Sequence, residues 1–394
     1  MYPAIVIPAY NRPKALNRLL YALKKAKYPS GCEVILHISI DRGAQGHDQA
    51  VCQIAEGFDW EFGEKRVTLQ NQHLGLVEHF YHCGDLTRQY GSIVLLEDDL
   101  LVSPVFYNYA TQALDYYCDD PRIAGISLYG LWFNGYTHFP FTPLPDDSDI
   151  FFLQIPYTQG QAFSKDQWDL FVNWLSASGQ RLSPSDPIHE MFLNFDPEDW
   201  FPIRTKYLID TQRFYVFPRE SLTTGMGDEG THFAQTSDFF QVPLQGFKQD
   251  FRLKAYDRSI AVYDSFYELL PDRLDRLTSA FRAFSYAVDL HGTKSLKNLP
   301  SEYVLTSKVC KSPMATFGKA MRPIEANVIN SVPGKEIAFC RTEDLALDWL
   351  SVLRMKKSNH EYFARGSHIG KKLGLAFLFI GALKKLRLWP DQIG

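Results

Sequence analysis

Ser92-Ile93-Val94-Leu95-Leu96-Glu97-Asp98-Asp99-Leu100 sets an unbroken apolar run directly against three carboxylates. The run is too short for a helix and reads as a buried strand over 92–96. Three acids at the end of a buried strand repel one another and resist desolvation, so a cation or hydrogen-bond donors must compensate them. Upstream of this stretch, strand signals at 4–8, 34–40 and 66–69 alternate with helix signals at 13–25 and 75–88. The first helix carries Leu16, Leu19, Leu20 and Leu23 at helical spacing. This alternation predicts parallel βαβ units, whose functional residues gather at the carboxyl ends of the strands. Asp41, before Arg42-Gly43, and Glu97 both fall at such ends.

The chain has 394 residues, 45% apolar and 14% aromatic, which is material for two structural units. A formal net charge of -4 argues against nucleic acid as a partner, because nothing across the whole chain would neutralise a phosphate backbone. Cys32, Cys52, Cys83, Cys118, Cys310 and Cys340 are scattered without close pairs, so reduced thiols are expected in place of a zinc site or a disulfide framework. Met1-Tyr2-Pro3 runs straight into the first strand, and no export signal or spanning apolar segment is read, so a cytoplasmic location is expected.

Downstream, 104–117 and 165–175 read as helices within an aromatic, proline-punctuated stretch, 125–243. Residues 264–288 are expected to be helical, and 342–353 to form an amphipathic helix. In the tail, 367–389, Lys371-Lys372 and Lys384-Lys385-Leu386-Arg387 bracket an apolar run, 373–383, with Trp389 beyond. Eleven residues cannot span a bilayer, but they can lie in its interface with the lysines on anionic head groups; packing back on the protein is the alternative.

Hard ions such as Mg²⁺ or Mn²⁺ favour carboxylate and phosphate oxygens, and one that bridges a carboxylate to a diphosphate stabilises the charge on a departing nucleotide. The acidic triplet suits that role, although a solvated acidic loop would look the same in isolation. Ala4-Ile5-Val6-Ile7-Pro8-Ala9-Tyr10-Asn11-Arg12-Pro13, Ser39-Ile40-Asp41 and Leu95-Leu96-Glu97-Asp98-Asp99-Leu100 resemble the GT-A glycosyltransferases. Their order is similar to the N-acetylglucosaminyltransferase I family, over roughly residues 3–245, and to bacterial surface-polysaccharide glycosyltransferases. The most specific element is the acidic block followed by Val102-Ser103-Pro104 and an aromatic helix.

The resemblance implies an α/β fold with a Rossmann-like mixed sheet flanked by helices and a mainly helical C-terminal extension. Residues 1–250 would be the catalytic domain, with a nucleotide-binding half, 1–104, and a donor-sugar and acceptor half, 105–250. Residues 251–394 would follow as a C-terminal region. Arg12 and Asp41 would hold the uridine and diphosphate region of a UDP-sugar, consistent with guanidinium donors for phosphate and a carboxylate acceptor for a pyrimidine N–H. His82 matches a family histidine near the nucleotide, in competition with His73 and His79. Asp99 would be the direct ligand of Mn²⁺ or Mg²⁺, with Glu97 and Asp98 serving the ribose and metal-bound waters.

In Asp196-Pro197-Glu198-Asp199-Trp200 the resemblance implies a catalytic base, because an acceptor hydroxyl must lose its proton as the new bond forms. Glu198 aligns with that base, but it is a Glu where the family has Asp, so Asp199 stands as its rival. A helix start capped by Asp196 would also account for the segment. The Gly-rich 222–232 matches a loop that closes over the donor, and His232 within it resembles a histidine aimed at the metal or diphosphate. Gly160 and Gln161, in Thr158-Gln159-Gly160-Gln161-Ala162, match a turn that lines the donor sugar.

The expected activity is inverting transfer from a UDP-sugar to a glycan acceptor, lipid-linked at the inner face of the cytoplasmic membrane, in O-antigen or capsule synthesis. Two rivals stand. A nucleotidylyltransferase would need a Gly-rich basic loop after the first strand, where Pro8-Ala9-Tyr10-Asn11-Arg12 is found instead. A non-catalytic carbohydrate-binding or scaffold protein could keep the fold without the reaction.

Overall fold

Alternation along the first strand assigns the two faces of the central sheet. The computed structural model describes residues 2–43, 48–178, 181–228 and 238–364. In β1 (Ala4–Ala9), Ile5 and Ile7 join one hydrophobic cluster and Val6 joins the other. Both faces are therefore covered, which is why the strand reads as continuous apolar sequence. α1 (Pro13–Lys24) begins with proline at its first turn, where a missing N–H costs nothing, and buries Leu16, Leu19, Leu20 and Leu23 against the Ile5 face.

β2 (Leu36–Ile40), α2 (Gln49–Gly57), β3 (Lys65–Leu69), α3 (Gly75–Asp85), α4 (Thr87–Tyr90) and β4 (Ser92–Leu95) complete the parallel half. β2 and β4 flank β1 in parallel register, with Val6 opposite His37 on one side and Leu95 on the other. The expected helix over 75–88 is broken at Leu86 into α3 and α4. After the acidic triplet come β5 (Leu100–Val102), α5 (Phe106–Tyr116), β6 (Ile123–Ser127), β7 (Ile150–Leu153), β8 (Gln161–Ser164), α6 (Lys165–Ser178), α7 (Trp200–Asp210), β9 (Phe214–Pro218), β10 (Thr223–Gly225) and β11 (Val262–Tyr263). Among the described residues nine strands form one mixed sheet in the order β11-β7-β9-β6-β8-β4-β1-β2-β3, flanked by helices as the fold class anticipates. β4 meets β8 antiparallel, so the parallel half ends at the strand that carries the triplet.

Past residue 250 the chain differs from its sequence reading. β11 lies beyond that boundary yet pairs with β7 in the central sheet. Only α8 (Pro271–Leu277) is helical within 264–288; the stretch ends in β12 (Tyr286–Asp289). β12, β13 (Tyr303–Thr306), β14 (Ala315–Phe317) and β15 (Ile337–Arg341) form a second sheet in the order β12-β13-β15-β14, alongside α9 (Glu325–Ile329) and α10 (Trp349–Phe363). The strands are three to five residues long and pair with distant segments, so tertiary pairing overrides a weak local signal. The helix expected at 342–353 starts at Trp349 instead, because the Asp348 side chain accepts from Ser351 N at 3.1 Å and caps it there. Tyr286, Val288, Phe339 and Tyr362 pack into the same cluster as Val6, Phe80 and Trp168, so the second sheet shares a core with the first. Among the described residues no helix is long and apolar enough to cross a membrane. The tail 367–389 lies outside the described residues.

Candidate active site

Because β1, β2 and β4 run parallel side by side, the residues that follow them emerge at one edge. Arg12 leaves β1, Asp41 leaves β2, and Glu97, Asp98 and Asp99 leave β4. The Arg12 guanidinium forks across the triplet, with Nη1 donating to Asp99 Oδ2 at 2.7 Å and Nη2 donating to Asp98. The second oxygen, Asp99 Oδ1, is buried and has no hydrogen-bond partner among the described residues. β5 pairs with β10, and Met226 N donates to Asp99 O at 3.2 Å, which brings Asp228 to the same edge. Arg18, from α1, pairs with Asp228 and reaches Asp99 O at 3.5 Å.

The electrostatics follow from burial and crowding. Burial first, then the field of Asp99, pushes the Glu97 carboxyl up to about 8, against the opposing pull of Arg12. Glu97 is partly exposed and lines a cleft. Burial likewise raises Asp98, to about 6, although the Arg12 guanidinium beside it pulls the other way. Burial alone would lower the Arg12 pKa, but Asp98, Asp99 and Glu97 outweigh it and keep the guanidinium charged. One guanidinium therefore faces three crowded carboxyl groups, and Glu97 and Asp98 hold on to their protons more tightly than free carboxyls do.

A cleft opens over this edge, lined by Pro8, Leu76, His79, Phe80, Leu95, Glu97, Thr158, Gln161 and Trp200. Phe80 and Trp200 stack at 4.0 Å between ring centroids and 8° between planes, forming a flat apolar wall. Gln161 lies opposite Leu95 in the β4–β8 ladder, and its Oε1 accepts from the Tyr215 hydroxyl at 2.9 Å, which fixes the side chain beside Glu97. Gly160 adopts φ +92°, and a Cβ there would come within 3.1 Å of Thr223 and 3.3 Å of Leu96. Its turn joins Thr158 and Gln161, which line the cleft.

The remaining expected residues divide sharply. Asp41 is buried and accepts from Leu74 N at 2.8 Å and Gly75 N at 3.0 Å, with His73 Nδ1 at 2.9 Å. Its carboxylate thus ties the end of β2 to the start of α3, where the helix dipole favours negative charge. His82 is half exposed on the outside of α3, 3.9 Å from Glu78. His79, one turn earlier, faces the cleft; its Nε2 lies 2.8 Å from Ser39 Oγ, and burial lowers its pKa to about 4. Glu198 is exposed and paired with Arg181. Asp199 is buried, caps α7 by accepting from Phe201 N at 2.9 Å, and lies close enough to Glu97 to raise its pKa. Asp196 caps a turn one step earlier, accepting from Glu198 N at 2.9 Å. His232 lies outside the described residues.

Arg18, Trp200 and Asp228 carry no role in the sequence reading, and His79 enters it only as a rival of His82. His79 shares the histidine-rich stretch with His82, and at 100° per residue the two lie only about 60° apart around the helix, so their spacing alone does not separate them. Arg18 carries no local signal, because only the β5–β10 pairing brings Asp228 within its reach.

No protein-family model and no curated protein matches the chain. Among solved structures it is similar to TarS 1-349 of S. aureus in complex with UDP-GlcNAc, at 14% identity over 59% of this chain and 60% of that chain, with a TM-score of 0.37. It is also similar to the mannosyltransferase PcManGT from Pyrobaculum calidifontis in complex with GDP-Man and Mn²⁺, at 15% identity over 46% of this chain and 47% of that chain, with a TM-score of 0.30. Each likeness thus spans less than two thirds of the matched chain.

Proposed function

We propose that the chain is a GT-A-type inverting glycosyltransferase that moves a sugar from a UDP-sugar to a glycan hydroxyl. The observation that carries this reading is the triplet at the end of β4, with a buried Asp99 oxygen that has no partner among the described residues, beside a guanidinium and an aromatic-walled cleft. Asp99 Oδ1 fits a hard divalent ion, Mn²⁺ or Mg²⁺, which commonly takes one or two carboxylates and completes its shell with phosphate and water. Among the described residues no group of three His, Cys, Asp or Glu side chains is placed to hold an ion, so phosphate and water would supply the other oxygens. Such an ion, when bound, would stabilise the negative charge that develops on the departing diphosphate.

The protein groups do the rest. Arg12 and Arg18 place positive charge at the edge where the diphosphate would lie. Glu97 and Gln161, at the cleft floor, offer a carboxyl and an amide to donor hydroxyls, and the Phe80–Trp200 wall excludes water from one side. Between the two candidate bases, Asp199 is preferred, because Glu198 is turned to solvent and held by Arg181. The Asp199 carboxylate takes the proton of the acceptor hydroxyl as its oxygen bonds to the anomeric carbon and the bond to the diphosphate breaks. Attack opposite the leaving group inverts the anomeric centre.

The place of the reaction is proposed as bacterial surface-polysaccharide synthesis at the inner membrane face, on the cationic, apolar tail 367–389. Release of UDP from a panel of UDP-sugars with Mn²⁺ and candidate glycan acceptors tests the activity. Asp199→Asn should reduce turnover by about 10²-fold or more while donor binding persists. No UDP release and no nucleotide binding across the panel would overturn the reading.

A further inference from the structure

Helix α10 presents an outer face unlike its inner one. Ser351, Met355, Asn359, Tyr362 and Phe363 are buried against the core. Outward, Trp349 is 70% exposed, Leu350 50% and Leu353 37%, with Leu347 at 47% just before the helix. At 100° per residue, Trp349, Leu350 and Leu353 share an arc of about 100°. The next turn on that side carries Arg354, Lys356 and Lys357, all exposed. Lys357 lies 3.9 Å from Glu361, while Arg354 and Lys356 make no ion pair among the described residues.

Four large apolar side chains within seven residues, next to three cations, fit one kind of partner better than another. Protein interfaces concentrate aromatic residues but are depleted of lysine. A helix that lies in a membrane interface combines Trp and Leu on its buried side with Lys and Arg reaching head groups. The whole chain is negative, at -4, so an anionic bilayer would repel it without a local basic patch to orient the approach. In the sequence α10 is followed by a second apolar run bracketed by cations, 371–387.

We propose that the outer face of α10, formed by Leu347, Trp349, Leu350 and Leu353 with Arg354, Lys356 and Lys357, docks on an anionic lipid bilayer. This rests on the membrane location proposed above from the tail, but uses different residues. The test is cosedimentation of the full chain with vesicles of phosphatidylcholine plus phosphatidylglycerol, against phosphatidylcholine alone. Binding to the anionic vesicles should fall about 10-fold or more in Trp349→Ser/Leu350→Ser/Leu353→Ser. It should fall by about 100-fold or more at low salt in Arg354→Glu/Lys356→Glu/Lys357→Glu, since each cation near such a surface contributes about 1 kcal/mol. Brominated lipid should quench wild-type fluorescence more than that of Trp349→Phe. A chain lacking 367–394 separates the two ideas. If it keeps part of the binding and the serine variant of that shortened chain loses it, the α10 face docks by itself. If the serine variant of the full chain binds as well as wild type, or changes its oligomeric state in place of its lipid binding, the α10 proposal is overturned while the tail reading stands. If the full chain ignores anionic vesicles, both fail.

Discussion

Two groups of three carboxylates in this chain are handled in opposite ways. Asp264, Glu268 and Asp289 sit within the C-terminal region against Lys294, Lys308 and His291: Lys294 Nζ meets Asp264 at 2.6 Å, Lys308 meets Asp289, and His291 Nδ1 lies 3.1 Å from Glu268. Burial alone would lower the His291 pKa, but Glu268 and its neighbours raise it. Each of these carboxylates has a basic partner within the protein, although Glu325 adds a fourth buried carboxyl nearby and Glu268 Oε2 has no hydrogen-bond partner among the described residues. Among the described residues Arg12 alone pairs with the side chains of Asp98 and Asp99, Glu97 has no ion pair, and one Asp99 oxygen has no partner. A buried network whose charges balance is architecture, and one left in deficit is where an outside cation gains most.

The comparison breaks first at Lys308. Lys308→Met leaves Asp289 buried and unpaired, so urea unfolding should show a loss of about 3–5 kcal/mol, with nucleotide binding per folded molecule unchanged. Asp99→Ala should behave in reverse: metal-dependent UDP release falls by about 10²–10³-fold, while the unfolding midpoint holds or rises because repulsion is removed. Full metal-dependent turnover in that variant would sink the assignment of Asp99.

A third test uses Glu325, whose carboxyl burial pushes up to about 7, with Glu268 adding to the shift and His291 opposing it. An acid held above its unfolded value binds its proton more tightly when folded, so its stabilisation is full at low pH and is lost as pH rises from about 4.5 through about 7. The raised His291 acts in the same direction, losing its contribution as pH rises past its folded value. Stability measured by urea should therefore drop between about pH 5.5 and pH 8, and Glu325→Gln should shrink that drop by about 2 kcal/mol. The smallest expected effect is at Glu198: alanine there should change stability by less than about 0.5 kcal/mol, because its pair with Arg181 is exposed, and should leave UDP release near wild type.

How far the sequence could be read followed from how local each signal was. The parallel half was legible because β1, β2 and β4 are apolar runs covered on both faces, and α1 repeats its leucines at helical spacing. Strand order put Asp41 and Glu97 at one edge, whereas Arg12 joined them through the resemblance. His82 and His79 lie three residues apart, and only the rotation of α3 decides which one faces the cleft. Glu198 and Asp199 are adjacent, and only the start of α7 turns one outward and uses the other as a cap. The second sheet was illegible, since its short strands are held by pairings across the C-terminal region rather than by their own pattern.

By itself, then, the sequence determined where negative charge accumulates and which strand carries it there, because burial and periodicity are written in consecutive residues. Only the tertiary structure decided which charges are cancelled. Arg12 reaches Asp98 and Asp99 across 86 and 87 positions, and Arg18 reaches Asp228 across 210. Neutralisation depends on distances in space, and no local pattern carries those.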